Sequence, residues 1–128
     1  MEFRKLTGYP RFELNSYVKQ YMEDHRDYDV KIYLGCDSQT KGDQTIYATT
    51  VVFHVAATGC HVIYKKETMP VIRDMWTRLW KEAEKSVEVA VYLREYGIEI
   101  DTIDLDYNID PKYGSNKLVS AAVGYVES

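Results

Sequence analysis

The sequence reads VKIYLGCDSQ at residues 30–39, an apolar run that ends on a carboxylate. This pattern predicts a strand over residues 30–37. Because strand side chains alternate, Gly35 and Asp37 share one face, and the glycine leaves space beside the aspartate. Two interpretations of Asp37 stay open: it is a metal-binding carboxylate at the end of a strand, or it starts an ordinary turn with Ser38.

Further strands and helices are predicted around this segment from hydrophobic periodicity and turn residues. In chain order they are an irregular lead-in at 1–11, a helix at 12–25, a turn at 39–43, strands at 45–56 and 60–68, a helix at 71–96, a strand at 98–107, and a helix from Ser115 or Asn116 to about 126. Short turns make the first three strands antiparallel, and the crossover through the long helix makes the fourth parallel to the first. The expected fold is one α/β domain over 1–128, with a lead-in and helix at 1–29 and the core at 30–128.

Composition narrows the class of protein. A hydrophobic fraction of 45% in 128 residues suits a single domain with a real core. The net charge of −4 leaves no broad basic footprint for nucleic acid. A nucleic-acid substrate stays open because bound cations reverse the local sign of an acidic site. No run approaches the ~20 apolar residues of a membrane span, and two cysteines without metal-type spacing predict free thiols. We expect a soluble cytoplasmic protein.

Several carboxylates could meet Asp37 at one edge of the sheet. Asp104 and Asp106 share a face of the fourth strand, and a parallel fourth strand next to the first would set Asp106 beside Asp37. A strand that ends Asp-Leu-Asp ends either in water or at a cation. Glu82 lies on the flank of the long helix's apolar face, where it is either a solvated glutamate or a group that reaches the sheet edge. Such carboxylates suit Mg²⁺ or Mn²⁺, which could activate a water and steady the leaving oxygen of a phosphodiester.

Four blocks of sequence carry a family resemblance: IYLGCDSQ at 32–39, LWKE at 79–82, DLDYN at 104–108 and SNKLVSAAVGYV at 115–126. With the order of elements, they resemble the ribonuclease H-like superfamily, and within it the uncharacterised YkuK-like family of bacteria and phages. The resemblance implies a mixed sheet with helices on both faces and strand order 3-2-1-4-5. Members of the superfamily normally continue into a fifth strand with a further acidic residue, which we do not predict within 1–128. Three explanations stay open: the chain is a truncated form, it lacks the fourth ligand, or a partner or second copy supplies it. The expected order is therefore 3-2-1-4 with the fifth strand missing.

The resemblance also implies a function and a site. The leading hypothesis is a Mg²⁺- or Mn²⁺-dependent nuclease that hydrolyses phosphodiesters in DNA or RNA. Its implied catalytic and metal-binding carboxylates are Asp37, Glu82 and Asp106, with Asp104 as a further metal ligand. The candidate substrate-binding residues are Ser38, Gln39, Ser115 and Asn116.

Two alternatives remain open. Ser115 and Asn116 either cap the last helix or hold a phosphate at its N-terminus. The protein is either a nuclease or a non-catalytic ribonuclease H-like module that binds a protein or a nucleic acid. The second possibility goes with a homodimer, because an exposed fourth-strand edge invites pairing with another copy.

Overall fold

The computed structural model describes residues 1–8 and 10–104. These residues form a mixed six-stranded sheet and two helices. The strands are β1 (Glu2–Lys5), β2 (Arg11–Glu13), β3 (Val30–Lys41), β4 (Gln44–Val55), β5 (Gly59–Pro70) and β6 (Thr102–Asp104), and the helices are α1 (Leu14–Asp24) and α2 (Met75–Glu95). The order across the sheet is β2-β1-β5-β4-β3-β6. Among the described strands, β3 and β6 pair in parallel and the other neighbours are antiparallel. The expected α/β class is confirmed.

The four strands predicted from periodicity occur in the expected order, as β5-β4-β3-β6. The irregular lead-in at 1–11 was a wrong prediction, because β1 and β2 add two strands beyond β5. Phe3 of β1 is buried and Phe12 of β2 stacks on Tyr17, so this hairpin packs on the core. Gly8, with φ 87°, takes the left-handed conformation in the turn between them.

Three predicted boundaries were also wrong. The fourth strand, expected from residue 98, begins at Thr102 as β6. The turn expected at 39–43 is confined to its last residues, because β3 runs on to Lys41 in register with β4. The long helix starts at Met75 rather than near Val71, since Pro70 ends β5. Asp74 caps α2, where its carboxylate accepts the backbone N–H groups of Trp76 and Thr77.

The two faces of the sheet differ in their cover. One face, here called the covered face, holds the core: Ile32, Leu34, Val51, Phe53 and Ile63 of the sheet with Leu14 and Val18 of α1 and Val89 and Leu93 of α2. The opposite face is called the open face. On β3 it carries the odd-numbered residues, which are half-buried or exposed. Both described helices pack on the covered face, and the helix expected near 115–126 lies outside the described residues. Neither α1 nor α2 is long and apolar enough to cross a bilayer.

Candidate functional site

Asp37 lies on the open face of β3, four residues before the strand ends at Lys41 and two residues beyond Gly35, the last position paired with the parallel strand β6. Its side chain is exposed, and its Oδ1 accepts the backbone N–H of Ser38 at 2.9 Å. Its register partner on β4 is the small residue Ala48. Gly35, two residues before it on the same face, pairs with position 104 of β6. The small side chains at these positions leave the carboxylate accessible, as alternation along the strand predicts.

Glu82 lies on the other side of the sheet. It is only 6% exposed, and its Oε2 accepts the hydroxyl of Ser38 at 2.8 Å on the covered face. Arg78, one turn earlier on α2, donates to the same hydroxyl at 3.1 Å and to the Ser38 carbonyl at 3.3 Å. The structure therefore does not bring the carboxylates of Asp37 and Glu82 onto one face.

The structure places the side chain of Ser38, predicted as a substrate-binding residue, on the covered face. Its side chain alternates away from Asp37 and is 8% exposed, between β3 and α2. The hydroxyl both donates to Glu82 and accepts from Arg78, so it joins the helix to the sheet instead of facing a surface open to substrate. Gln39, by contrast, is exposed on the open face, next after Asp37 on that face.

A second polar cluster on the covered face escaped the sequence analysis. Lys85, 8% exposed, donates to Glu67 at 3.0 Å, and Lys65 approaches the other oxygen of Glu67 at 3.2 Å. The Lys85 ammonium also lies 5.2 Å from the centre of the Tyr47 ring. Burial pushes the pKa of Glu67 upward, but the hydrogen bonds and charges of the two lysines outweigh it and hold that pKa below its ordinary value. The available signal was alternation along β5, which puts Lys65 and Glu67 on the face of Ile63.

Replacing Lys85 by Met is expected to destabilise the fold by about 2 kcal/mol at neutral pH. This is less than the cost of breaking a fully buried ion pair, because Glu67 is partly solvated and keeps its contact with Lys65. A depressed pKa gives stability that is present above the unfolded-state pKa and is lost as the pH falls through the folded-state value. The wild type should therefore lose more stability than Lys85→Met between neutral pH and pH ~3. Urea denaturation at several pH values measures this, and parallel pH curves would contradict it.

The two cysteines should differ in reactivity. Cys36 is buried on the covered face of β3, and Cys60 of β5 is exposed. Burial raises the pKa of the Cys36 thiol to about 11, although a hydrogen bond from Thr49 opposes the shift. Since only the thiolate is nucleophilic, native protein should expose one fast-reacting thiol to a disulfide reagent. The Cys60→Ser variant should show none until it is unfolded; a fast-reacting thiol in that variant would contradict the assigned burial.

The described residues do not assemble a complete metal site. Among residues 1–8 and 10–104, no group of three or more His, Cys, Asp or Glu side chains is placed to hold a metal ion. Of the two predicted ligands whose side chains are described, Asp37 is exposed and Glu82 is buried. The remaining predicted site residues are Asp106, Ser115 and Asn116, which lie outside the described residues, and Asp104, of which only the backbone pairing is described.

One comparison with known proteins gives a match. A family model described as ribonuclease H-like matches residues 13–128. The matched range includes Asp37, the helix that carries Glu82, and all strands from β3 onward. No curated protein and no solved structure matches the chain.

Proposed function

The chain belongs to the ribonuclease H-like family, and from that premise we propose that it is a Mg²⁺- or Mn²⁺-dependent nuclease acting on DNA or RNA. The family relates the chain to a nuclease-like or otherwise nucleic-acid-related function. The observation that supports catalysis is the exposed Asp37 carboxylate, which stands among small neighbours on a strand paired in parallel with β6. A fold alone does not fix an activity, so the proposal depends on this carboxylate.

The proposed metal ligands are Asp37 and Asp106, with Asp104 beside them. The support is the register of the described pairing, in which Gly35 lies opposite Asp104. A parallel strand continued in this register by two residues would bring position 106 opposite position 37. Carboxylate oxygens are the ligands that these hard ions prefer. The chemistry that a bound ion supplies in such a site is charge neutralisation at a phosphate and a lowered pKa for a bound water.

For Glu82 we propose a positioning role. Its carboxylate and the Arg78 guanidinium fix the Ser38 side chain from the covered face. The backbone N–H of Ser38 in turn binds the Asp37 carboxylate on the open face. Glu82 would thus influence Asp37 through the backbone at Ser38, because a strand residue held on one side fixes the direction of its neighbour on the other.

A cleavage screen tests the proposal. Labelled single-stranded DNA, duplex DNA, RNA and RNA–DNA hybrid are incubated with purified protein and Mn²⁺, with and without excess EDTA. We expect cleavage of at least one of these substrates that stops when EDTA is present. Absence of metal-dependent cleavage from all four would contradict the nuclease proposal.

A non-catalytic binding module is the second candidate, and the engagement of Glu82 favours it. A helix carboxylate committed to Ser38 in the interior has a structural role that needs no metal. Within the described part of the chain, β6 pairs only with β3, so self-association through its other edge belongs to this candidate. Light scattering at increasing protein concentration tests the dimer, and a monomer at the highest concentration would count against it.

A further inference from the structure

The open face carries one continuous row of residues across the whole sheet. Each member pairs with the next through the strand register, from β2 to β6. The row consists of Arg11, Arg4, Tyr64, Thr50, Gly35 and position 104. Its middle members on β4 and β3 are small, and its far end is basic. With strands about 4.8 Å apart, Arg4 stands about 14 Å from β3 across the sheet.

The adjacent row brings a cation closer to Asp37. Asp37 pairs with Ala48, and Ala48 pairs with Lys66 on β5. Lys66 is exposed and lies two strands from Asp37, about 10 Å across the sheet. It has no ion pair among the described residues. Small side chains on β4 and β3 therefore lie between the Asp37 carboxylate and the cations of β5 and β1.

On strands β1 to β5, the charged residues of this face have a net charge opposite in sign to that of the whole chain. The chain has a net charge of −4. On strands β1 to β5, alternation puts more cations than carboxylates on the open face: Lys31, Lys41, Lys66, Arg4 and Arg11 against Asp37, Glu2 and Glu13. Arg11 approaches Glu2 at 3.6 Å, but both are more than 60% exposed, so this pair is weak and can be displaced.

The basic end also contains a cavity. In the described residues, β1 and β5 pair at two positions, Arg4 with Tyr64 and Lys5 with Ile63, and the pairing does not continue to Phe3 and Glu2. A cavity of about 160 Å³ opens there, lined by four cationic residues, by Tyr64 and Phe3, and by one carboxylate, that of Glu2. This volume is that of about five water molecules in the liquid. The Arg4 guanidinium lies 4.9 Å from the centre of the Tyr64 ring, which fixes its direction at the rim.

We propose that the open face binds a single-stranded nucleic acid, with backbone phosphates at Lys66, Arg4 and Arg11. A row of cations beside partly exposed aromatic rings is the combination that binds single strands, since cations follow the backbone and rings stack on bases. Tyr64 and Tyr33, both half-buried on this face, supply the rings. The inference rests on the proposed function only where it places the reacting phosphodiester at Asp37.

The test compares two double variants that remove the same charge. The three proposed phosphate-binding residues, Lys66, Arg4 and Arg11, are called the track. Arg11→Gln/Lys66→Gln changes two exposed residues of the track, while Arg26→Gln/Arg94→Gln changes exposed residues just after α1 and in the last turn of α2. Binding of a fluorescent oligodeoxythymidylate is measured by anisotropy in EDTA at several salt concentrations. The first variant should bind at least 10-fold more weakly than wild type, with a salt slope reduced by about 1.4, from 0.7 for each lost phosphate contact. The second should bind like wild type.

The outcomes separate this inference from the nuclease proposal, because binding is measured without metal. Equal affinity of the two double variants, or no binding by the wild type, would overturn the track. Tighter binding of a duplex of matching length would overturn the assignment to single strands. Weaker binding by the track variant, in a protein that cleaves nothing, would support the track and contradict the nuclease proposal.

Discussion

Asp37→Asn is expected to lower the rate of metal-dependent cleavage by at least about 100-fold, because changes even to the outer partners of metal ligands cost about 10- to 100-fold. Asparagine keeps the size of the side chain and an oxygen that can accept the Ser38 N–H. It removes the charge with which a carboxylate binds a hard cation. The rate is measured in a single turnover, at saturating Mn²⁺, on the substrate that the wild type cleaves fastest.

Two control variants make this result specific. Asp27→Asn makes the same change at an exposed position between α1 and β3 and should keep the wild-type rate. Glu82→Gln keeps an acceptor for Ser38 and should stay within about 10-fold of the wild type if Glu82 only positions its neighbour. A loss in Glu82→Gln equal to that in Asp37→Asn would instead assign Glu82 to the metal. A wild-type rate in Asp37→Asn would remove Asp37 from the site.

Phe53→Ala should destabilise the fold by about 4 kcal/mol, the usual cost of removing a buried phenyl ring. Phe53 is completely buried on the covered face. Its ring centre lies 4.3 Å from that of Tyr21 on α1 and 5.8 Å from that of His61 on β5. Because small domains are stable by only about 5–15 kcal/mol, this variant should unfold at a much lower urea concentration.

Val52→Ala is the matched control on the same strand. Val52 is the neighbour of Phe53 on β4 but lies half-buried on the open face. Removing part of a half-buried side chain should cost about 1 kcal/mol. Urea denaturation of both variants measures the difference. A loss at Val52 as large as that at Phe53 would contradict the assignment of the two faces.

The local sequence pattern was sufficient to predict the order of the four central strands of the sheet. The run that ends at Asp37 and the two strands after it have short turns, which fix antiparallel neighbours. The crossover helix then fixes a parallel fourth strand, and the order β5-β4-β3-β6 is confirmed. Alternation put Gly35 and Asp37 on one face of the first strand, and the structure has both on the open face, with Asp37 exposed. These features depend on residues close together in the sequence.

Features that depend on distant residues could not be predicted. β1 joins the sheet through Arg4 and Tyr64, which are far apart in the sequence, and the turn residues near Gly8 favoured an irregular segment. Helical periodicity put Glu82 on the flank of the apolar face of α2, but it does not identify the strand residue that this flank contacts. In the structure that residue is Ser38, whose hydroxyl donates to Glu82. Lys85 and Glu67 likewise read as ordinary surface charges until the helix is placed on the sheet.

The central claim is that Asp37 belongs to a divalent-metal site, and one measurement tests it most directly. The midpoint of thermal unfolding is recorded for wild type and Asp37→Asn over a range of Mn²⁺ concentrations. A ligand that binds only the folded state stabilises it by about 2.7 kcal/mol at 100 times its dissociation constant. We expect the wild-type midpoint to rise with Mn²⁺ and that of Asp37→Asn to stay constant. Equal responses of the two proteins, or no response from the wild type, would contradict the metal site at Asp37.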